Sequence, residues 1–531
     1  MRRLVALLVG ALLVGACTGG GGSSADNGKP HTGGTFRMGM ERPRSLDPAQ
    51  ANTPNEVLLA DQMFDSLTSY DPNTLAVQPA VAGSWTASPD QMHWDFTISP
   101  NAKFSNGRAI TSADVKYSLE RVSHRGSTAT TSFLLEPITG FAAFNDPKGT
   151  ATELAGIKAA VPNVVHFDLD TPLSTLPALL GNPTFAIVPK EAVEATPPAP
   201  DFNHDPVTSG PFRVKSSDDS LLRLVPAQGV KAFVSEVDVH FYSDDPGAYA
   251  AFNRKSVDWS PVPPDRVDEA AEKFGRGGFA PYATVGFYGF NLKSPKFADV
   301  RFREAILAAI DRDAIVRGIY NNTVRVTSKL VPDGIPGTQA NPCGAVCDHD
   351  PDKARALLKD AFPAGNPPPI FIDYDEDTTQ EAIAKAMQAN LKDVGITANL
   401  RPHPYTDYLN FALGGTQELF RLGWGGLTAY PTPDAFLTPL FLTGSHENVT
   451  QFSNPVVDAL LKAGRAEPDE GRRTAADQQA EQQILQQVPV VPIFEIETHT
   501  VVATRVKGLV LTALGTFDAT RLWLTSGPGV K

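Results

Sequence analysis

The sequence lacks the motifs that mark several common kinds of enzyme, and it lacks long hydrophobic runs. No phosphate-binding Gly-x-x-x-x-Gly-Lys-Ser/Thr loop occurs in its 531 residues, which excludes the ATPase subunit of a transporter. Neither a His-Glu-x-x-His zinc motif nor a Gly-x-Ser-x-Gly nucleophile elbow occurs. After the first residues, no apolar run is long enough to cross a bilayer. We therefore predict a protein that is not an enzyme and has no catalytic residues, no cofactor and no bound metal.

Basic residues are fewer than acidic residues in this chain. The 46 Lys and Arg residues are outnumbered by 59 Asp and Glu residues, which gives a formal net charge of -13 at pH 7. A chain of this charge repels phosphate backbones, so we predict no nucleic-acid partner. Its length exceeds what one hydrophobic core needs, which predicts two or more domains. We expect it to act as a monomer.

Cysteine is nearly absent, with three residues in the whole chain. Cys17 stands alone, whereas Cys343 and Cys347 are four positions apart in Cys-Gly-Ala-Val-Cys. This pair predicts a small disulfide loop formed in an oxidising compartment. Two free thiols in a surface loop are the alternative, and a zinc site is disfavoured because no second Cys/His pair follows at metal-binding spacing.

The first seventeen residues have the pattern of an export signal. Residues 1–3 carry two arginines, residues 4–14 are apolar, and Gly15-Ala16-Cys17 follows, as in a secretory signal peptide. Val14-Gly15-Ala16-Cys17 resembles a bacterial lipobox, in which the cysteine thiol accepts a lipid. Residues 18–34 are rich in Gly and Ser and are predicted to form a flexible tether. We therefore predict an extracytoplasmic protein that a lipid on Cys17 anchors to the outer face of the cell membrane.

Strand and helix signals alternate along the rest of the chain. Residues 93–98 place apolar side chains at every second position, which predicts a half-buried strand. Thr111, with Asp114 three residues later, predicts the start of a helix. Two Asx-Pro pairs predict further helix starts, and one glycine predicts a helix end; these are Asp350-Pro351, Asn454-Pro455 and Gly395. The alternation predicts an α/β fold.

Several sequence blocks together resemble the bacterial family 5 extracellular solute-binding proteins, which are peptide and nickel binders of ABC importers. Leu46-Asp47-Pro48 and Gly423-Trp424-Gly425 are similar to an early and a late block of that family. The blocks follow the family's order over nearly the whole mature chain, at residues 45–48, 82–85, 94–96, 103–107, 113–121, 208–212, 289–291, 297–303, 309–312, 350–358, 391–396 and 423–425. One block alone would be weak evidence, but so many blocks in order are hard to produce by chance.

The resemblance implies a two-lobed, periplasmic-binding-protein-like α/β fold with an extra subdomain inserted in lobe one. By similarity, the chain crosses between the lobes near residues 280–287 and again near 492–497. These crossings would assign residues 35–281 and 495–531 to lobe one and 282–494 to lobe two. The inserted subdomain would lie at about residues 75–205.

The resemblance also implies where the ligand binds. Trp424, Gly425 and Gly426 are the first candidates, because glycines let a ligand approach the backbone and tryptophan offers a stacking face. A core tryptophan beside a turn at the end of a strand is the alternative. The further candidates are Ser209, Gly210, Tyr288, Asn291, Phe64 and Leu67. Each pair also has a structural alternative: a turn for the first two, a structural position at the hinge for the next two, and a place in the core for the last two.

The sequence departs from the family at one position of the binding site. Peptide binders of this family carry an aspartate shortly after Gly-Trp, which pairs with the N-terminal ammonium of the peptide. Here that position holds Leu427 or Ala429, and Asp434 is the candidate to replace the missing acid. A buried ammonium without a carboxylate is costly, so blocked peptides, other polar solutes and a chelated metal stay open as ligands.

Taken together, these features predict a solute-binding lipoprotein for an ABC importer. The protein would capture a small ligand, an oligopeptide in the first place, by closing its lobes, and would deliver it to the permease subunits. The alternative is a non-transporting envelope lipoprotein that uses the same fold for regulation or scaffolding. The missing aspartate is the feature that favours this alternative.

Overall fold

A computed structural model describes residues 29–195, 201–365 and 367–525. The predicted signal peptide, Cys17 and the tether up to residue 28 lie outside the described residues. Within the described ranges, no helix has the length and apolar character that crossing a membrane requires.

Strands and helices alternate along the chain, as the sequence pattern predicts. The strands are β1 Thr35–Glu41, β2 Thr68–Tyr70, β3 Val77–Pro79, β4 Ala82–Ala87, β5 His93–Ile98, β6 Ile157–Val161, β7 Val164–Asp168, β8 Phe212–Ser217, β9 Leu221–Pro226, β10 Glu236–Tyr242, β11 Trp259–Pro261, β12 Phe279–Phe290, β13 Val324–Val326, β14 Ile370–Asp375, β15 Ala398–His403, β16 Leu419–Gly425, β17 Val490–Val502, β18 Val506–Lys507 and β19 Trp523–Leu524. The helices are α1 Pro54–Met63, α2 Ser112–Ser123, α3 Phe141–Asn145, α4 Leu176–Leu179, α5 Lys190–Val193, α6 Asp245–Asn253, α7 Val267–Phe274, α8 Val300–Ala309, α9 Arg312–Ile319, α10 Pro351–Ala361, α11 Thr378–Asp393, α12 Tyr405–Leu413, α13 Asp434–Phe441, α14 Pro455–Ala466 and α15 Glu470–Gln486.

The residues that begin and end these elements explain several of the boundaries. Strand β5 has the predicted bounds, and its side chains alternate between exposed and buried. Thr111 caps α2 in a capping box with Asp114, which satisfies backbone N–H groups that a helix start leaves free. Helices α10 and α14 begin at the two predicted Asx-Pro pairs, and α11 ends two residues before Gly395, whose φ is +91°.

One eleven-stranded sheet runs through both lobes. Ten of its strands follow the order β15-β14-β16-β12-β17-β11-β1-β10-β9-β8, and β13 pairs with β17 beside this path. Strands β15, β14 and β16 belong to the lobe-two end, and strands from β11 to β8 belong to the lobe-one end. The fold class is therefore α/β with two lobes, as predicted.

The long strands β12 and β17 lie between these two groups of strands, and the predicted crossing segments, residues 280–287 and 492–497, fall within them. They pair antiparallel from Phe279 opposite His499, but their register shifts between Pro281 and Val285. Residues 282–284 of β12 therefore bulge where the strands pass from one lobe to the other. A bulge bends a strand and increases its twist, so the sheet has a local irregularity at the junction of the lobes.

A separate four-stranded antiparallel sheet, in the order β4-β5-β7-β6, forms the inserted subdomain together with α2. Its inner face buries Trp94, Phe96, Val165 and Phe167. Complete burial of an aromatic side chain contributes about 1.5–3 kcal/mol, so these residues anchor the sheet. Their apolar cluster continues into lobe two, whereas a second cluster lies around β1, β8, β9 and β10.

Cys343 and Cys347 are bonded to each other, and both are buried in lobe two. The buried guanidinium of Arg312 donates hydrogen bonds to the carbonyl oxygens of Cys347 and Thr327. The cysteine loop is therefore held against the start of α9.

Candidate functional site

The Gly-Trp-Gly segment, residues 423–425, ends strand β16 next to the bulge of β12. Thr284 pairs with Gly425, and Val285 pairs with Trp424. Gly425 has a φ of +120°, and a Cβ atom added to it would lie 1.9 Å from the carbonyl oxygen of Ala283. The absence of a side chain at Gly425 therefore lets lobe two pack closely on the crossing strand. Gly426, with a φ of +61°, continues this close packing, because a Cβ there would lie 3.1 Å from the hydroxyl of Tyr282.

Trp424 lies half-buried where lobe two meets the inserted subdomain. Its indole N–H donates a 2.8 Å hydrogen bond to the carbonyl oxygen of Ala435. Its ring lies 5.7 Å, centroid to centroid, from the ring of Phe133. The indole N–H is thus already used inside the protein, and what Trp424 can offer a ligand is aromatic surface. Phe133 was not among the predicted site residues.

The segment after Gly426 docks on the inserted subdomain through Asn182. The Asn182 amide donates to the carbonyl oxygens of Leu427, at 2.8 Å, and Ala429, at 3.3 Å. The other atom of the amide, Oδ1, accepts hydrogen bonds from the backbone N–H and the hydroxyl of Thr184. The backbone of the segment where a family aspartate is expected is therefore bound by a neutral amide that is itself fixed in orientation. The Asn182-Pro183 pair is the local signal in the sequence, but nothing in the sequence links it to residue 427.

Asp434 lies at the start of α13 and is 1% exposed. Its carboxylate accepts hydrogen bonds from the hydroxyls of Tyr430, at 2.8 Å, Thr438, at 2.5 Å, and Thr175, at 3.4 Å. Burial, with the nearby charge of Asp434, raises the pKa of Tyr430. Both carboxylate oxygens are used inside the protein, so the structure does not offer Asp434 to a ligand as the missing acid.

Ser209 and Gly210 form a turn against the end of α1. The hydroxyl oxygen of Ser209 accepts a 3.1 Å hydrogen bond from the N–H of Asp65, and the N–H of Gly210 donates to the carbonyl oxygen of Met63. A Cβ atom at Gly210 would lie 2.6 Å from the backbone nitrogen of Phe64. The glycine therefore permits a close approach of two backbone segments of lobe one.

The same turn lines a cavity of about 1030 Å³ between lobe one and the inserted subdomain. Phe64 contributes to its wall, whereas Leu67 is 1% exposed and belongs to the core. Asp61, Asp65 and Asp518 also line it. Removal from water and the charge of Asp518 raise the pKa of Asp61 to about 8 and that of Asp65 to about 7. This cavity is polar and acidic, and its lining residues come from lobe one and the subdomain.

Tyr288 and Asn291 lie on and just after β12, on the lobe-two side. Asn291 is 4% exposed; its amide donates to the carbonyl oxygens of Gly415 and Gln417, and its Oδ1 accepts from the N–H of Lys293. Asn291 therefore holds a turn together. Tyr288 is also buried, and its hydroxyl has no hydrogen-bond partner among the described residues.

A charged group that sequence reasoning missed lies beside Tyr288. Arg421 is paired with Tyr288 across strands β16 and β12, and its guanidinium is 3.4 Å from a carboxylate oxygen of Asp375. The Arg421 side chain is 34% exposed, whereas that of Asp375 is 5% exposed. Burial raises the pKa of the Tyr288 hydroxyl, although Arg421 opposes the shift. Arg421 thus brings a positive charge to strand β16, which ends at Gly425.

The two lobes share one sheet through the strands β12 and β17, and aromatic and polar groups lie close to their junction. The sequence profile described as "Bacterial extracellular solute-binding proteins, family 5 Middle" matches residues 76–448, which is well over half of the chain. The protein belongs to this family. The resemblance inferred from the sequence blocks is therefore confirmed.

Relatives and solved structures agree with this assignment. The dipeptide-binding protein DppE of Bacillus subtilis is 25% identical over 456 residues, 83% of each chain. The oligopeptide-binding protein OppA of the same organism is 24% identical over 529 residues, 96% of each chain. The unliganded open form of MppA, a periplasmic murein tripeptide binding protein, superposes with a TM-score of 0.78 at 22% identity, over 93% of this chain and 98% of MppA. HbpA2 from Haemophilus parasuis gives a TM-score of 0.79 at 21% identity, over 93% and 100% of the two chains.

Proposed function

We propose that this protein is an extracytoplasmic receptor that captures an oligopeptide between its two lobes and delivers it to the permease subunits of an ABC importer. The observation that carries the proposal is the family match over residues 76–448 of a chain whose lobes share one sheet. Relatives named for dipeptide and oligopeptide binding align over most of the chain, which supports a peptide as the ligand. Capture and delivery break no bond, so we assign no catalytic step.

Lobe closure supplies the mechanism. Strands β12 and β17 join the lobes, and the bulge at residues 282–284 is a place where the sheet can bend. A ligand that touches both lobes only when they are closed shifts the population towards that state. The permease then distinguishes the closed, loaded shape from the empty one.

We infer that Trp424 contacts the ligand from lobe two. Trp424 contributes a partly exposed aromatic ring next to Phe133, and aromatic walls exclude water from a bound ligand. Since the position of the family aspartate holds Leu427 or Ala429, and the carboxylate of Asp434 is used inside the protein, we infer that a free peptide N-terminus has no acidic partner there.

Peptide binding is expected from the chain without its predicted signal peptide, residues 18–531. Native mass spectrometry should show a co-purified peptide, and titration calorimetry should show binding from a library of free and N-acetylated peptides. Acetylation should change the affinity by less than about tenfold, or about 1.4 kcal/mol. Trp424→Ala should weaken binding by about tenfold or more, because it removes the aromatic contact.

Trp523→Ala is the matched control, because Trp523 lies in β19, where its ring contacts His31. It should leave peptide affinity unchanged. An empty protein that binds no member of the library would contradict the proposal and favour the regulatory alternative.

We also propose that Cys17 carries the lipid that anchors the protein outside the cell. The observation behind this proposal is the Val14-Gly15-Ala16-Cys17 sequence after an apolar run. The intact mass of the native protein should correspond to a chain that begins at Cys17 with acyl groups attached. Cys17→Ser should move the protein from the membrane fraction to the soluble one, and a variant that stays membrane-bound with an unchanged mass would refute the anchor.

A further inference from the structure

The outer face of the inserted subdomain gathers two histidines and two aspartates. In the pairing of β5 with β7, His93 lies opposite Asp168, and Asp95 lies opposite His166. Alternation along these strands points Trp94, Phe96, Val165 and Phe167 into the core and the four polar side chains to the solvent side. The pleat of the sheet therefore brings together ligand types that lie about 75 positions apart in the chain.

Two ring nitrogens converge on one carboxylate oxygen in this group. Nδ1 of His93 lies 2.7 Å and Nε2 of His166 lies 2.9 Å from the same oxygen, Oδ1 of Asp168. A ligand atom of each residue lies within 4.8 Å of those of the other two. Zinc bonds to imidazole nitrogen and carboxylate oxygen are about 2.0–2.2 Å long, so the ligand atoms of one ion lie roughly 3–3.5 Å apart. The two nitrogen–oxygen distances, 2.7 and 2.9 Å, are already close to that separation.

Asp95 orients one of the two histidines. Its Oδ1 lies 2.7 Å from Nδ1 of His166, on the opposite side of the ring from Asp168. A carboxylate in this place accepts the proton on Nδ1, so that Nε2 can bind a metal ion once it releases the proton that it donates to Asp168. Metal-binding histidines are commonly held in this way by a second carboxylate.

Asp168 already pairs with a cation, the ammonium group of Lys158, through its second carboxylate oxygen. The Lys158 side chain is 57% exposed and can leave Asp168 by rotating into solvent. A divalent ion would then replace the ammonium group and leave the carboxylate paired.

We propose that His93, His166 and Asp168 bind a divalent transition-metal ion, with Asp95 positioning His166 behind the site. Imidazole and carboxylate ligands favour Zn²⁺, Ni²⁺ or Cu²⁺ over Mg²⁺ and Ca²⁺. Water would complete the coordination, since the site is open to solvent. The site lies on the subdomain's outer sheet face and uses none of the residues proposed to contact the peptide.

Titration calorimetry of the untagged chain, residues 18–531, with Zn²⁺ tests the site. One equivalent should bind, and Mg²⁺ and Ca²⁺ at the same concentration should not displace it. His93→Ala and Asp168→Asn should each weaken Zn²⁺ binding by at least about tenfold. Asp95→Asn should weaken it by about 10–100-fold, as loss of an orienting partner does.

His446→Ala is the matched control, because His446 is an exposed histidine of lobe two that also faces a carboxylate, that of Glu447. It should leave Zn²⁺ affinity unchanged. The His93 side chain is 52% exposed, so its removal should leave the fold and the far-ultraviolet circular dichroism intact. Absence of binding at 1 mM Zn²⁺, or equal binding by the wild type and by a His93→Ala, Asp168→Asn double variant, would overturn the proposal.

Discussion

Gly425→Ala is expected to destabilise the protein and to weaken ligand binding together. The added methyl group would lie 1.9 Å from the carbonyl oxygen of Ala283 and 2.9 Å from Cα of Thr284. These are backbone atoms of the bulged crossing strand, so no side-chain rotation can relieve the clash. Since the φ of +120° is unfavourable for alanine as well, the free energy of unfolding should fall by roughly 3 kcal/mol or more.

Urea unfolding followed by circular dichroism measures this loss. Gly444→Ala is the matched control, because Gly444 also has a positive φ, of +84°, but a Cβ there meets no atom within 4 Å. That variant should lose only about 1 kcal/mol, the cost of a left-handed backbone with a side chain. Equal unfolding midpoints for the two variants would show that β16 does not depend on close packing against β12.

Asp477→Asn is expected to stabilise the protein at pH 8 and to change little at pH 4. Asp477 is 1% exposed, and neither carboxylate oxygen has a hydrogen-bond partner among the described residues. Burial and the nearby charge of Asp434 raise its pKa from 3.8 to about 8. The folded protein therefore keeps this carboxyl group protonated over a range in which the unfolded chain releases the proton.

The sign of the pH dependence follows from that difference. Between about pH 4 and pH 8 the folded state binds more protons than the unfolded state, so stability falls as the pH rises. One such group changes the free energy of unfolding by up to about 1.4 kcal/mol per pH unit. Asp61 and Asp65, whose pKa values are raised to about 8 and about 7, act in the same direction. Below about pH 4 this contribution is constant.

Thermal or urea unfolding at pH 4, 6 and 8 measures this effect. Asparagine cannot ionise, so Asp477→Asn should flatten the profile and exceed the wild type by about 2 kcal/mol or more at pH 8. Asp393→Asn, on an exposed face at the end of α11, is the control and should keep the wild-type slope. Parallel profiles for the wild type and Asp477→Asn would mean that Asp477 is ionised in the folded protein.

Local rules in the sequence predicted the individual elements well. The alternation in β5, the capping box of α2 and the proline starts of α10 and α14 depend on residues within a few positions of each other. Such patterns are set by backbone geometry and hydrogen bonding, which do not require knowledge of distant contacts. The order of sequence blocks then predicted the family and, through it, the two-lobed fold.

The candidate site was predicted only in part, because its contacts join distant segments. Trp424 and Gly425 were named from the sequence, but the reason for a glycine at 425 is the carbonyl of Ala283, which only strand pairing brings near. Phe133 gave no signal of its own, and the Asn182-Pro183 pair gave a local signal that does not link it to residue 427. Asp434 was a candidate because it is an acidic residue in the segment that follows Trp424, yet its carboxylate accepts hydrogen bonds from side chains inside the protein.

The sequence by itself determined the α/β class and the family of this protein, and it predicts export and a lipid anchor. These properties depend on short motifs and on the order of those motifs in the sequence, so they do not require knowledge of distant contacts. Only the tertiary structure decided which polar groups are satisfied, which are buried without partners and which converge across strands. The His93, His166 and Asp168 group illustrates the reason: side chains far apart in the chain become neighbours only when a sheet pairs their strands.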